Sequence, residues 1–346
     1  MKKLYDISWQ VDEDTYRMDP SLSYSTLARY DREGFDKLDT LFERIETPAL
    51  TFGSAVDALI TGGQEEFANN FMVADFPDIK DSIKNIVQRL FDDNKDAYNS
   101  LEDIPNSIII PLTEEMGFQS NWKPETRAKV IREQGFEYYK LLFAAIGKKI
   151  LNNETAQEVF NAVKALKESP ATAWYFATDN PFDGITREYQ LKYKDTVDGV
   201  DYRCMMDLAV VDHNEKIVYP CDLKTSGHSE WHFYDSFIKW TYFIQARLYW
   251  RLLRRAMDRD DYYKDFRLAD YRFIVVNRKT LVPLVWEYSD TSTMGTLHYG
   301  KNNTILVRDP YKIGKELKHY LEDKPAVPDE IRLNEPNDIV EWLNQI

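Results

Sequence analysis

The chain has 346 residues, 43% of them apolar and 14% aromatic, with only 13 Gly and 14 Pro, which excludes disordered, collagen-like and low-complexity classes. Its formal charge of −14 repels polyanions over the whole molecule, so any nucleic-acid contact must be made at a local site. Two cysteines, Cys204 and Cys221, are too few for a disulfide framework, a four-thiolate zinc site or an iron–sulfur cluster, and are expected as reduced core residues.

The opening MKKLYDISWQVDEDTYRM lacks an apolar stretch of signal-peptide length. No later run approaches the ~20 apolar residues of a membrane span, so a cytoplasmic chain with no membrane partner is expected. Ser21, Ser23 and Ser25 are candidate caps for a helix through LARYDREGFDKL, and a second helix, TFGSAVDALI, follows Thr47-Pro48. From 63 to 125 the pattern is mixed, and the apolar run SIIIP at 107–111 reads as a short strand. Residues 126–176 carry long 3.6-period stretches ending at Ser169-Pro170 and read as helical.

After Pro181 the period becomes two. Residues 187–194, 200–212 and 216–226 alternate, separated by the turn sequences DTVDG and HNE, which predicts an antiparallel meander. A long aromatic helix over 230–257 follows, then strands at 271–277 and 281–289 and helical stretches to the terminal EWLNQI. The expected fold is α/β of the α+β kind. It has a central mixed sheet containing the three-stranded meander, flanked by helices, with a mostly helical N-terminal part (1–176) integrated with a core (177–346).

Strand alternation then places the chemistry. Tyr189, Leu191 and Tyr193 in the first strand, the even-numbered Tyr202 to Val210 in the second, and Ile217, Tyr219, Cys221 and Leu223 in the third are expected to pack. This leaves Glu188, Asp207, Asp222 and Lys224 on the opposite face. Closing the second hairpin at His213–Lys216 sets Asp207 opposite or next to Asp222. Closing the first sets Asp207 opposite or diagonal to Glu188, depending on whether the turn is long or a tight Asp-Gly pair. Cross-strand neighbours lie about 5 Å apart, so three carboxylates there call for a hard divalent cation, Mg²⁺ or Mn²⁺. Lys224, two residues from Asp222, can hold an attacking water and stabilise charge on phosphorus, which points to phosphodiester hydrolysis.

An acid, then Asp207, then Asp222-Leu223-Lys224, then a helix with Gln245-Ala-Arg-Leu-Tyr249 resembles the PD-(D/E)XK nuclease superfamily in its RecB-like branch. With LSYSTL, ETPALTFGSAVDALI and the helical segment ILNNETAQEVFNAVKALKESPATAWYF in order, the chain is similar to phage and prophage exonuclease VIII (RecE-type) nucleases from about residue 20 to 290. That resemblance implies a restriction-endonuclease-like core and metal-dependent 5′ to 3′ degradation of one strand of linear double-stranded DNA. It also implies a 3′ overhang for a single-strand annealing recombinase and a ring-shaped homo-oligomer. It assigns Glu188, Asp207, Asp222 and the Leu223 carbonyl to the metal, Lys224 to water activation, and Gln245 and Tyr249 to steadying the site or the nucleic acid. The branch's Gly-x-x-x-His reads Gly53-Ser-Ala-Val-Asp57 here, and Asp57 is an acceptable hard-metal ligand.

Lys192, Lys194, Lys239, Arg247 and Arg251 are the cations nearest the expected catalytic face and the candidates for DNA contact, although a salt-bridged solvated face explains the helix arginines equally well. His228 and His232 have the spacing of a zinc pair but lack a third ligand. Competing readings are an endonuclease or nickase on the same core, a degenerate nuclease kept for DNA binding, and a carboxylate-pair glycosidase, which has no need of Lys224.

Overall fold

The computed structural model describes residues 1–34, 37–43, 45–180, 182–289, 296–299 and 303–322. The chain divides into two compact units, Gly62–Phe160 and a larger one formed by Met1–Thr61 with Asn161–Ile346. The boundary drawn from sequence between 176 and 177 falls inside the larger unit.

Along the chain, a 3₁₀ turn (Leu4–Ile7) precedes α1 (Glu13–Met18), α2 (Tyr24–Glu33) and α3 (Pro48–Thr61). The smaller unit holds α4 (Gly63–Asn70), β1 (Phe71–Val73), α5 (Asp81–Asn94), α6 (Asn106–Glu115), α7 (Pro124–Ala144) and β2 (Lys149–Leu151). Helix α8 (Asn153–Glu168) follows, then α9 (Ala173–Phe176), β3 (Ile185–Val197), β4 (Val200–Asp212) and β5 (Ile217–Ser226). A second helical stretch holds α10 (Phe233–Lys239) and α11 (Tyr242–Asp258). The remainder is β6 (Arg267–Leu268), β7 (Tyr271–Asn277), β8 (Leu284–Tyr288), β9 (Thr296–Tyr299), β10 (Asn303–Leu306) and α12 (Pro310–Leu321).

In the smaller unit α5, α6 and α7 enclose Ile83, Val87, Leu90, Ile109, Ile131 and Tyr139. Helices α5 and α7 meet where Gly135 leaves room for Val87, because a Cβ at 135 would come within 2.4 Å of that side chain. The run at 107–111, expected as a strand, lies in α6. Three successive isoleucines cannot distinguish the two periods, and burial of Ile109 and Thr113, four apart, is helical spacing.

The larger unit is built on a mixed sheet in the order β3-β4-β5-β7-β8, with β6 beside β5. The meander is antiparallel, β7 runs parallel to β5 after the α10–α11 connection, and β8 returns antiparallel. This is the expected α+β class, with helices against a mixed sheet. The first hairpin closes on the tight pair Asp198-Gly199, φ 51° and 76°, so Val197 faces Val200 and Glu188 faces Ala209. The second pairs Asp212 with Ile217 and Leu208 with Cys221, and the same register continued by one residue sets Asp207 opposite Asp222.

Helix α11 supplies Phe243, Ile244, Leu248, Tyr249, Leu252 and Leu253 to the core against the sheet. The single helix expected over 230–257 is a 3₁₀ turn (Glu230–His232), α10 and α11, broken at Thr241, whose φ is 53°. Neither Gly nor Pro marks that break in the sequence. The strand expected from 281 begins at 284. Helix α12 matches part of the expected C-terminal helical stretch, and the rest of it, to Ile346, lies outside the described residues.

Candidate functional site

Asp207 on β4 and Asp222, Leu223 and Lys224 on β5 meet where these strands lie side by side. Asp207 Oδ2 accepts a hydrogen bond from the Leu223 backbone N–H at 2.9 Å. Lys224 Nζ forms an ion pair with Asp222 Oδ2 and lies 4.7 Å from the centre of the Tyr242 ring. Burial pushes the Asp207 carboxyl well above its ordinary 3.8, and the nearby charges of Asp222 and Asp57 add to that. Lys224 and the Leu223 N–H only partly offset it. Burial works against the Lys224 charge, yet Asp222, Tyr242 and Asp207 hold its ammonium above the usual 10.5.

Helix α3 brings the fourth group. Pro48 is its first residue and Thr47 Oγ1 accepts from Leu50 N at 3.2 Å, a capping arrangement that starts it. At Gly53 the helix approaches β5 so closely that a Cβ would lie 3.2 Å from Thr225 Oγ1. One turn on, Asp57 shares a small cavity with Tyr189, Asp207, Leu208, Leu223 and Ile274. Asp57 Oδ2 accepts from Gln190 Nε2 at 2.8 Å.

Glu188 is not part of this group, which corrects its expected role as a metal ligand. Its two carboxylate oxygens accept the backbone N–H groups of Leu4 and Tyr5, each at 2.8 Å, and it is 7% exposed. The reason is local. Gln190 has φ 54°, which interrupts the pleat of β3, so residues before it no longer keep the alternation of Leu191 and Tyr193. Tyr189, expected in the core, lines the Asp57 cavity instead. In β4 the core members change from Tyr202, Cys204 and Met206 to Ala209 and Val211. In β5 Cys221 is buried as expected, but Val218 rather than Ile217 joins the core cluster and Tyr219 lies edge-on to Trp174 at 5.3 Å. Asp222 is therefore 1% exposed rather than solvated.

From α11, Gln245 Nε2 donates to Asp222 Oδ1, and Gln245 is itself buried. Tyr249, one turn later, is buried edge-on to Tyr271 with ring centres 6.3 Å apart. Burial lifts its hydroxyl well above 10, with Tyr16, Cys204, Asp222 and Asp207 adding to the shift. Tyr242 and Gln190 touch Lys224 and Asp57, and the sequence pattern does not single them out. A tyrosine three residues before Gln245 on the same helix was a usable signal for the first, whereas a left-handed glutamine in a strand leaves none.

The expected DNA-contacting cations are dispersed. Arg247 is 3% exposed. Arg251 pairs with Asp309 at 2.6 Å. Lys194 pairs with Asp19 at 2.6 Å, and Lys192 sits where its carbonyl accepts from Trp9 N at 2.7 Å. Arg254 and Arg255 pair with Asp258 and Asp195. Arg251, Arg254 and Arg255 are thus salt-bridged but partly buried rather than solvated, while Lys239 is exposed beside Trp240.

The donors are all oxygens, as Mg²⁺ or Mn²⁺ requires. Among the described residues no three His, Cys, Asp or Glu side chains stand ready to hold a metal ion; Lys224 pairs with Asp222, and Gln190 donates to Asp57. Two observations nevertheless fit a cation. Asp207 is crowded by two like charges, and Gln245 Oε1 is buried without a hydrogen-bond partner among the described residues.

No protein-family model matches the chain, and no curated protein does. Among solved structures, one named "Putative exonuclease" from Eubacterium rectale is similar at a TM-score of 0.40 and 13% identity, over 97% of this chain and 88% of that one. Among the described residues no helix is long and apolar enough to cross a membrane.

Proposed function

We propose that the chain hydrolyses phosphodiester bonds with Mg²⁺ or Mn²⁺. The observation that supports this best is the convergence of Asp57, Asp207 and Asp222 beside the Lys224 ammonium. Asp207, Asp222 and the Leu223 carbonyl would hold the cation, with Asp57 beside them. When bound, such an ion supplies positive charge to the phosphate oxygens and lowers the pKa of coordinated water. Lys224 orients the attacking oxygen and stabilises the charge that builds on phosphorus. Gln245 fixes the rotamer of Asp222, and Gln190 does the same for Asp57.

The substrate we propose is linear double-stranded DNA, cut from an end in the 5′ to 3′ sense, with a single-strand annealing protein as the downstream partner and a homo-oligomer as the working form. These finer points rest on the sequence resemblance. An endonuclease or nickase on the same residues differs only in accepting closed circles. Incubation of the full chain with linear duplex labelled at the 5′ or 3′ end, and separately with unlabelled covalently closed duplex, in Mg²⁺, Mn²⁺ or EDTA, tests the reading. End-dependent, chelator-sensitive loss of label is expected, and cleavage that survives exhaustive chelation would overturn the metal reading.

A further inference from the structure

Between α10 and α11 the chain makes an uncommon local choice. Thr241, a β-branched residue, takes φ 53° and ψ 43°, a region such residues avoid unless their surroundings impose it. Those surroundings are visible. The Tyr24 hydroxyl donates to the Trp240 carbonyl at 2.8 Å, Arg32 Nη1 donates to the same oxygen at 3.3 Å, and Thr241 Oγ1 donates to it at 2.7 Å. Two consequences follow from the break. Tyr242 turns inward onto Lys224, and Trp240, two residues earlier, is left 43% exposed.

Two cations attend that indole. Lys239 Nζ lies 5.0 Å from its ring centre and the Arg32 guanidinium 5.4 Å. An exposed indole beside two cations, next to Tyr24 and Tyr242 and so to Lys224, has the elements that bind single-stranded nucleic acid without regard to sequence. These are an aromatic face for a base and positive charge for the adjoining phosphates. The exposed cation–π contact of Lys239 is weaker than base stacking, so a base can displace the ammonium from the ring toward a phosphate.

We infer that Trp240, with Lys239 and Arg32, is a stacking platform for an unpaired nucleotide of the substrate strand beside the Lys224 site. This rests on the nuclease reading and deepens it by naming the form of substrate, a strand separated from its complement where it enters.

Binding is measured by anisotropy of a fluorescein-labelled ten-residue oligodeoxythymidylate on the full chain carrying Lys224→Ala, with Mg²⁺ present. Adding Trp240→Ala should weaken binding about tenfold, the scale of losing one stacked base. Trp240→Phe should restore most of it. Lys239→Ala should reduce the slope of log affinity against log salt by about one. Trp122→Ala, equally exposed at 42% but in the smaller unit, should change nothing. Unaltered affinity in Trp240→Ala, with circular dichroism matching the parent, overturns the platform while hydrolysis by the unmutated chain leaves the nuclease reading standing. A chain that neither cuts nor binds DNA overturns both.

Discussion

Gln190 Nε2 donates to Asp57 Oδ2 across 2.8 Å, joining β3 to α3 at a residue whose backbone is left-handed. A non-glycine residue held there costs on the order of 1–3 kcal/mol. The pairs Tyr189–Leu208 and Leu191–Met206 on either side clamp it in place. The same residue thus turns Glu188 away from the acids and supplies the hydrogen bond that orients Asp57.

Gln190→Gly separates the two roles. Glycine adopts φ 54° without steric cost, so the melting temperature should stay level or rise slightly. Asp57 loses this donor, and hydrolysis should fall by roughly 10- to 100-fold, about 1.5–3 kcal/mol, the scale of one hydrogen bond to a charged group. Calorimetry beside a rate assay checks this, and a large loss of stability with an unchanged rate would contradict it.

Glu188 gives the opposite pattern. As the acceptor for Leu4 and Tyr5 it ties the N-terminal turn to the sheet, so Glu188→Ala should cost about 2–3 kcal/mol in urea unfolding, the range for buried hydrogen bonds to a charged partner. Metal affinity of the folded variant should match the parent. A loss of metal binding without loss of stability would return Glu188 to the ligand set.

The contrast between these residues marks how far the sequence could be read. Alternation places β4, and an apolar run places β7, to the residue, while the turn sequences bring Asp207 opposite or next to Asp222. Alternation assumes an unbroken pleat and one solvated face, and both assumptions fail here. Gln190 breaks the pleat without a glycine to announce it, and Asp222 lies against Gln245 of α11, so Cys221 and Asp222 are both buried. Asp57 is legible only through the family resemblance, because no local rule ties a carboxylate on α3 to strands more than a hundred residues later.

Lys224 and Asp222 should fail differently. Lys224→Ala removes the ammonium while leaving the oxygens, so metal affinity should persist and the rate should drop by roughly 10²-fold or more. Asp222→Ala removes an oxygen ligand and also the partner of Gln245, so metal and rate should be lost together. Titration calorimetry with Mn²⁺ tests the difference, and normal affinity in Asp222→Ala would remove that residue from the ligand set.

Acid should loosen the junction between β3 and α11. Burial raises the Asp195 carboxyl, but hydrogen bonds and charge from Arg255 and Arg259 outweigh it and hold the group below its ordinary 3.8. A carboxyl depressed in the folded state contributes stability that is present above the unfolded value of 3.8 and disappears as pH falls through the lower folded value. Asp195→Asn should therefore be less stable than the parent by about 1–2 kcal/mol at pH 7, a range reduced by the exposure of both arginines. The difference should close as urea unfolding is repeated at pH values stepping down through 3.8. A gap that stayed constant across that interval would mean that the carboxylate charge does not hold this junction together.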